Sequence, residues 1–453
     1  MPYTRDERVP AVIFTAVSFA ELVYRYARKL AVLLRQPVLW PVILLFLPKI
    51  NFISFRNETA GIRFDDSILL IVAILLLADW ISSLNFTVEP LPLAGFAVVG
   101  VFCVSNLINV GLGHSSLLYS LRLIEYMIFF WSGKSVVRSG YDFDLIVKLL
   151  VGLNCVVVVL QFAGIAGGFT ASGYESVVGR PFGLSANHPA EMGALFNLMF
   201  AALVFGNKTT NFWRWFLLIG TCVFLLGSRS ALLAHCLLTL VYVYKHSKNK
   251  ISFVRRAASV SALLIVILAM IPNFAVIPSE IAGRSADLFS RQNLETFRDV
   301  YDNIPVDRQF ADVDEGGAPE DSPEGVDISW YMRMFKWTEV VKTMLAQSWT
   351  IWILGVGPGG IGVALDGGWL RLVVETGIVG TIAFLALMRK ISKVSASCSM
   401  AVLALGVNML MIDSHMAYKV MAFLFFLVGT EVQSRFSQLA APGLLVDSKL
   451  RPA

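Results

Sequence analysis

Apolar runs of about twenty residues recur along this chain from residue 37 to residue 432, separated mostly by short polar breaks. A run of that length spans the hydrocarbon core of a bilayer. In lipid, each backbone N–H and C=O must be satisfied within the protein, so single apolar runs of this kind cross as helices. The charge content agrees, because only 15% of residues are charged, whereas soluble domains carry about 25%. The expected fold class is therefore an all-α polytopic membrane protein.

Twelve spans are expected, at 37–55, 66–83, 92–111, 115–133, 144–166, 189–206, 212–227, 230–245, 256–277, 368–388, 396–413 and 416–432. They divide the chain into an amphipathic N-terminus (1–36), nine spans (37–277), one large polar loop (278–367), three further spans (368–432) and a tail (433–453). Orientation follows from lysine and arginine bias. Arg25, Arg28, Lys29 and Arg35, then Lys134 and Arg138, Lys208 and Arg214, Lys245 to Arg256, and Arg389 to Lys393 all fall on one side of this arrangement. That side is expected to be cytoplasmic, with both termini inside. The charged N-terminus is not a cleavable signal peptide; a helix lying on the cytoplasmic surface fits it better. No internal repeat is present, which disfavours a transporter built from duplicated halves.

The loop from about Ser279 to Arg371 is the one long polar segment. Arg284, Arg291 and Arg298 are spaced by seven and would share a face of a helix over 282–302. From Asp299 to Asp327 the balance turns acidic among glycines and prolines, a composition that favours mobility. A second helix is expected from Ile328 to about Ala346, followed by the turn-forming Gly355-Val-Gly-Pro-Gly-Gly360.

Several chemistries find no support. The five cysteines all lie inside expected spans, so there is no disulfide framework. The five histidines show no metal-ligand spacing, and there is no P-loop or dinucleotide fingerprint. The net charge of +5 is spent on inter-helix loops and does not argue for nucleic acid.

Three constellations face the side opposite the basic loops. Arg180, Arg229 and Arg333 offer rigid forks that match phosphate oxygens two at a time. The competing role is anchoring at the lipid interface, which suits Arg229 least because it stands in a tight turn between two spans. The second is Gly179-Arg-Pro-Phe-Gly-Leu-Ser-Ala-Asn-His-Pro189. There Asn187 and His188 could bind sugar hydroxyls or, for His188, move a proton; equally, either could cap the helix that Pro189 begins. The third is Asp366-Gly-Gly-Trp-Leu-Arg371. Asp366 could accept or orient a hydroxyl proton, or cap the tenth span. Arg371 and Glu375 are expected to pair in the membrane, as are Arg122 and Glu125. Arg284 and Arg291, and at the last outward turn Asp413, His415 and Lys419, are secondary candidates.

Together these features resemble the O-antigen polymerase and O-antigen ligase superfamily of bacterial polysaccharide assembly. The resemblance is carried by Leu45-Phe-Leu-Pro-Lys49, Ile62-Arg-Phe-Asp-Asp66, Arg122-Leu-Ile-Glu125, Arg180-Pro-Phe-Gly183 with Ala186-Asn-His188, and Gly227-Ser-Arg-Ser230. Arg333, Gly355-Val-Gly357 and Glu375-Thr-Gly-Ile-Val-Gly380 complete it. It implies a GT-C-like fold in the bacterial inner membrane and metal-independent, cofactor-free, inverting glycosyl transfer on the periplasmic face. The implied donor is an undecaprenyl-diphosphate-linked glycan whose diphosphate is held by Arg180, Arg229 and Arg333. Implied partners are a chain-length regulator and export machinery. Ligases of the superfamily resemble a pattern of His, then Asn, Ser or Gln, nine residues, and Gly-x-x-Gly. Gly377 and Gly380 fit that pattern, but Asp366 and Gly367 occupy its first two positions. The missing histidine favours a polymerase, with Asp366 or His188 assisting deprotonation; a ligase is the nearer alternative and a flippase the farther one.

Overall fold

A computed structural model of the protein describes residues 36–48, 51–55, 60–82, 89–109, 114–167, 180–206, 211–247, 249, 251, 254, 291–304, 328–361 and 365–439. The expected surface helix before Gln36, the expected span at 256–277, Arg284, the acidic stretch 305–327 and the tail beyond 439 lie outside the described residues, as does the side chain of Arg291.

After a single 3-10 turn, the chain runs through α1 (Trp40–Phe46), β1 (Asn51–Phe55), β2 (Ala60–Arg63), α2 (Phe64–Ser82), α3 (Pro90–Asn109), α4 (His114–Arg138) and α5 (Phe143–Phe162). It continues through α6 (Pro189–Phe205), α7 (Phe212–Leu225), α8 (Arg229–Lys245), α9 (Arg291–Asn303), α10 (Ile328–Ala346) and α11 (Trp349–Leu354). The last three helices are α12 (Gly368–Ser392), α13 (Ala396–Asn408) and α14 (Tyr418–Leu439). Among the described helices, α3, α5 and α12 are long and apolar enough to cross a membrane. The centre is α6 and α14: α14 packs along α4, and α6 packs against α13, α7, α8 and α14. Nearly all of α6 and the whole of Val420–Val428 are buried.

The first expected span, 37–55, is not one helix. Pro48 carries no amide proton and closes the helix behind Phe46, and Asn51-Phe-Ile-Ser-Phe55 alternates as a strand does. It pairs antiparallel with Ala60–Arg63. The 3-10 turn and α1 together reach about 15 Å, half of a bilayer core. Even so, the segment runs alongside α4 and touches the start of α14. Gln36 meets Ser139 at one end, and Lys419 donates to the Leu44 carbonyl near the other. In the polar loop, α10 coincides with the expected helix, whereas α9 is described only from Arg291 onward.

The tenth expected span, α12, breaks at Gly377, where φ is 62° and ψ −170°. Only glycine enters that region without strain. The break strips the carbonyls before it of their helical donors. Val356 N–H donates to the Val374 carbonyl at 2.9 Å, and Gly357 N–H to the Glu375 carbonyl at 2.8 Å. The Ser105 hydroxyl reaches the same Glu375 oxygen at 3.3 Å, and Asn109 Nδ2 donates to the Gly355 carbonyl at 2.6 Å. The glycine-rich segment is thereby stitched between α3 and the first segment of α12, directly ahead of Asp366.

Candidate functional site

The segment from Arg180 to His188 has no regular structure, and α5 holds it in place. Gln161 Oε1 accepts the N–H groups of Phe182 (2.9 Å) and Gly183 (2.8 Å), and Gln161 Nε2 donates to the Gly183 carbonyl. Two turns earlier, Asn154 Oδ1 accepts the N–H groups of Leu184 and Ser185, both at 3.0 Å. Buried backbone donors must be paired, and these two amide side chains pair four of them. Neither was among the candidates from sequence. The available signal was a pair of polar residues seven apart on one face of an apolar span.

His188 ends this segment as the N-cap of α6, its Nδ1 accepting the Ala190 N–H at 3.1 Å, with Pro189 in the first helical position. Asn187 precedes it, half-buried. Burial, reinforced by the charges of Arg180 and Arg333, lowers the His188 pKa to about 3. The ring is thus neutral, and its accepting Nδ1 places the proton on Nε2. At neutral pH His188 is a cap and an N–H donor, a poor match for the proton acceptor expected from sequence.

Two of the three candidate arginines, Arg180 and Arg333, lie near enough for their charges to act on this histidine. Arg180 Nη1 donates to the Gly227 carbonyl at 3.2 Å, two residues before Arg229, which opens α8 half-buried. Arg333, on α10, forms an ion pair with Asp366 through Nη2 and Oδ2 at 3.1 Å. Asp366 does not cap α12. Its N-cap is Gly367, with no side-chain cap bond, and the Asp366 carboxylate turns to Arg333 instead. Burial raises the Asp366 pKa above the usual carboxylate value, Arg333 opposes that rise, and Asp413 adds to it.

Asp413, a secondary candidate, supports Asp366 from behind. Its carboxylate accepts the N–H groups of Leu365 (3.0 Å) and Gly367 (3.2 Å), on either side of Asp366, and takes Arg371 Nη1 at 2.8 Å. Arg371 also pairs with Glu375 at 3.0 Å, as expected. His415 is buried beside them, its ring edge-on to Phe384, and burial lowers its pKa to about 4. On the far side, Trp337 donates its indole N–H to the Leu365 carbonyl at 2.9 Å and packs edge-to-face with Trp330. Trp330, Arg333 and Trp337 recur on one face of α10 and wall the site with aromatic surface.

The expected Arg122–Glu125 pair does not form. Glu125 pairs with Arg63 at 3.0 Å, and the Arg122 guanidinium lies 5.4 Å from the Tyr119 ring centroid. Three-residue spacing on a helix permitted the local pair, but a buried arginine from the hairpin claims the carboxylate. Among the described residues, no group of three His, Cys, Asp or Glu side chains is placed to hold a metal ion. No protein-family model matches the chain, and no curated protein matches it in sequence.

Proposed function

We propose that this chain is a multi-pass membrane glycosyltransferase that polymerises lipid-diphosphate-linked oligosaccharide units. The observation that carries the proposal is the Arg333–Asp366 ion pair, with Arg180 hydrogen-bonded to the Gly227 carbonyl and the charges of both arginines acting on His188. The two cations come from stretches far apart in sequence, and Arg229 arrives close by from a third. Polyprenyl diphosphate is the leaving group that such forks suit, and the resemblance to the O-antigen polymerase and ligase superfamily names an undecaprenyl carrier. In this reading the chain crosses the bacterial inner membrane twelve times, the first time by the segment that runs along α4. The basic loops and both termini are cytoplasmic, and the site faces the periplasm beneath the large loop.

In the reaction, a sugar hydroxyl of the incoming unit attacks the anomeric carbon of the growing chain. The C–O bond to the lipid diphosphate breaks as the new glycosidic bond forms, with inversion. The hydroxyl proton passes to the Asp366 carboxylate, and the diphosphate leaves as an anion stabilised by Arg180, Arg229 and Arg333. Groups aimed at charge that develops in the transition state contribute most to such a step. His188, neutral, can donate from Nε2 to a phosphate or sugar oxygen. Trp330 and Trp337 offer apolar faces to a sugar ring.

Purified enzyme given only lipid-linked repeat units should yield a ladder of multimers. No product until a separate acceptor is added would instead identify a ligase. Movement of labelled lipid-linked glycan across proteoliposomes without bond formation would identify a flippase.

A further inference from the structure

A cavity of about 350 Å³ opens between the N-terminal halves of α5 and α7, lined by none of the residues of the site around Asp366. Gln161, which holds the site segment, stands thirteen residues beyond Lys148 on α5, about 20 Å along the axis. The two helices line the cavity with the same layout. Each presents a cation, Lys148 or Arg214, and one turn further on an open or apolar position, Gly152 or Leu218. Leu149 and Leu218 are 53% and 37% exposed, and a Cβ on Gly152 would meet nothing within 4 Å.

The polar end is organised. Asn211 caps α7 by accepting the Arg214 N–H at 3.4 Å, so the first turn of the helix presents its positive end. The Arg214 guanidinium lies 5.5 Å from the centroid of the buried Trp215 ring, which steadies it. Lys148 pairs with Asp144 one turn back, leaving Arg214 the larger share of net positive charge. Phe143–Phe162 is also one of the helices able to cross a membrane. A cationic rim one helical turn from an exposed apolar groove has the anatomy of a lipid site.

We propose that this cavity binds an anionic phospholipid, its phosphate between Lys148 and Arg214 and an acyl chain along Leu149, Gly152 and Leu218. Charge selects the head group, and the groove selects a lipid over a free phosphate ester. The site is independent of the proposed glycosyl transfer.

Native mass spectrometry can test it, with full-length protein offered equal amounts of phosphatidylglycerol and phosphatidylcholine carrying the same acyl chains. Phosphatidylglycerol should be retained in preference by about five- to twentyfold, since one cation near a membrane surface is worth roughly fivefold. The Lys148→Ala/Arg214→Ala variant should lose that preference. Gly152→Phe leaves the charges in place and fills the groove, so it should reduce retention of both lipids. Glycerophosphate, the head group without chains, should not displace the bound lipid. An unchanged preference in the double alanine variant, full lipid retention by Gly152→Phe, or displacement by glycerophosphate would each overturn the proposal. Should the double variant fail to accumulate, Gly152→Phe decides alone.

Discussion

Asp366 has a φ of 53°, in the left-handed region that costs an L-residue roughly 1 kcal/mol or more. The surrounding structure holds it there: Asp413 grips the N–H groups on either side, and Arg333 takes the carboxylate. The groups facing it are Arg333 and Lys336 from α10 and Asp413 from the α13–α14 connection, with Arg371 behind Asp413. Burial raises its pKa and Arg333 is the strongest opposing influence. A base must be ionised to act, so activity should fall as pH drops through this raised pKa, and the acid limb should lie above the usual carboxylate value of about 3.9. Replacing Arg333 with Gln removes the opposing charge and should move the limb of kcat to higher pH. Asp366→Asn should cost about 10²–10⁴ in kcat and abolish the limb. Polymer formation by purified enzyme from about pH 4 to about pH 8 measures both. A limb that stays in place in Arg333→Gln would assign the titration to another group.

At the scale of elements, the long apolar helices were visible in sequence because length and composition alone define them. Their partners were not. Glu125 stands three residues from Arg122, yet binds Arg63, sixty-two residues earlier; nothing in local spacing reveals that. Residues 37–55 look like one continuous apolar span, but Pro48 stops the helix and the strand Asn51–Phe55 follows it. Asn154 and Gln161 were legible as polar residues in an apolar run, but their role depends on a segment with no periodicity of its own. Asn154→Leu keeps the size and deletes the acceptor, leaving Leu184 and Ser185 N–H unpaired. An unsatisfied buried donor costs about 1–3 kcal/mol, so the 180–188 segment should loosen. Hydrogen–deuterium exchange there should rise about tenfold or more, and KM for the lipid-linked donor should rise as Arg180 loses its placement. Unchanged exchange at Leu184 and Ser185 would show that Asn154 does not hold the segment.

At the scale of the whole molecule, the chain is closed on itself by Arg63, which is 1% exposed. It binds Asp66 at 2.6 Å and Glu125 at 3.0 Å, lies near Asp65, and its guanidinium is 4.2 Å from the Tyr418 ring centroid. One cation thus joins the N-terminal hairpin to α4 and α14. Tyr126 adds a hydrogen bond to the Met416 carbonyl at 2.9 Å, gripping the connection that also carries Asp413. The support of Asp366 therefore runs through Asp413 to a knot built by the other end of the chain. Removing one member of a buried ionic group leaves the others uncompensated, which costs about 3–5 kcal/mol. Arg63→Met should lower the Tm of the purified protein sharply, while Glu125→Gln, which removes a partly exposed carboxylate, should lower it less. Combining them should restore part of the loss, because one fewer unpaired charge remains, with a coupling of about 0.5–3 kcal/mol. Simple addition of the two losses would mean that Arg63 and Glu125 act separately, and the hairpin would then be held by packing alone.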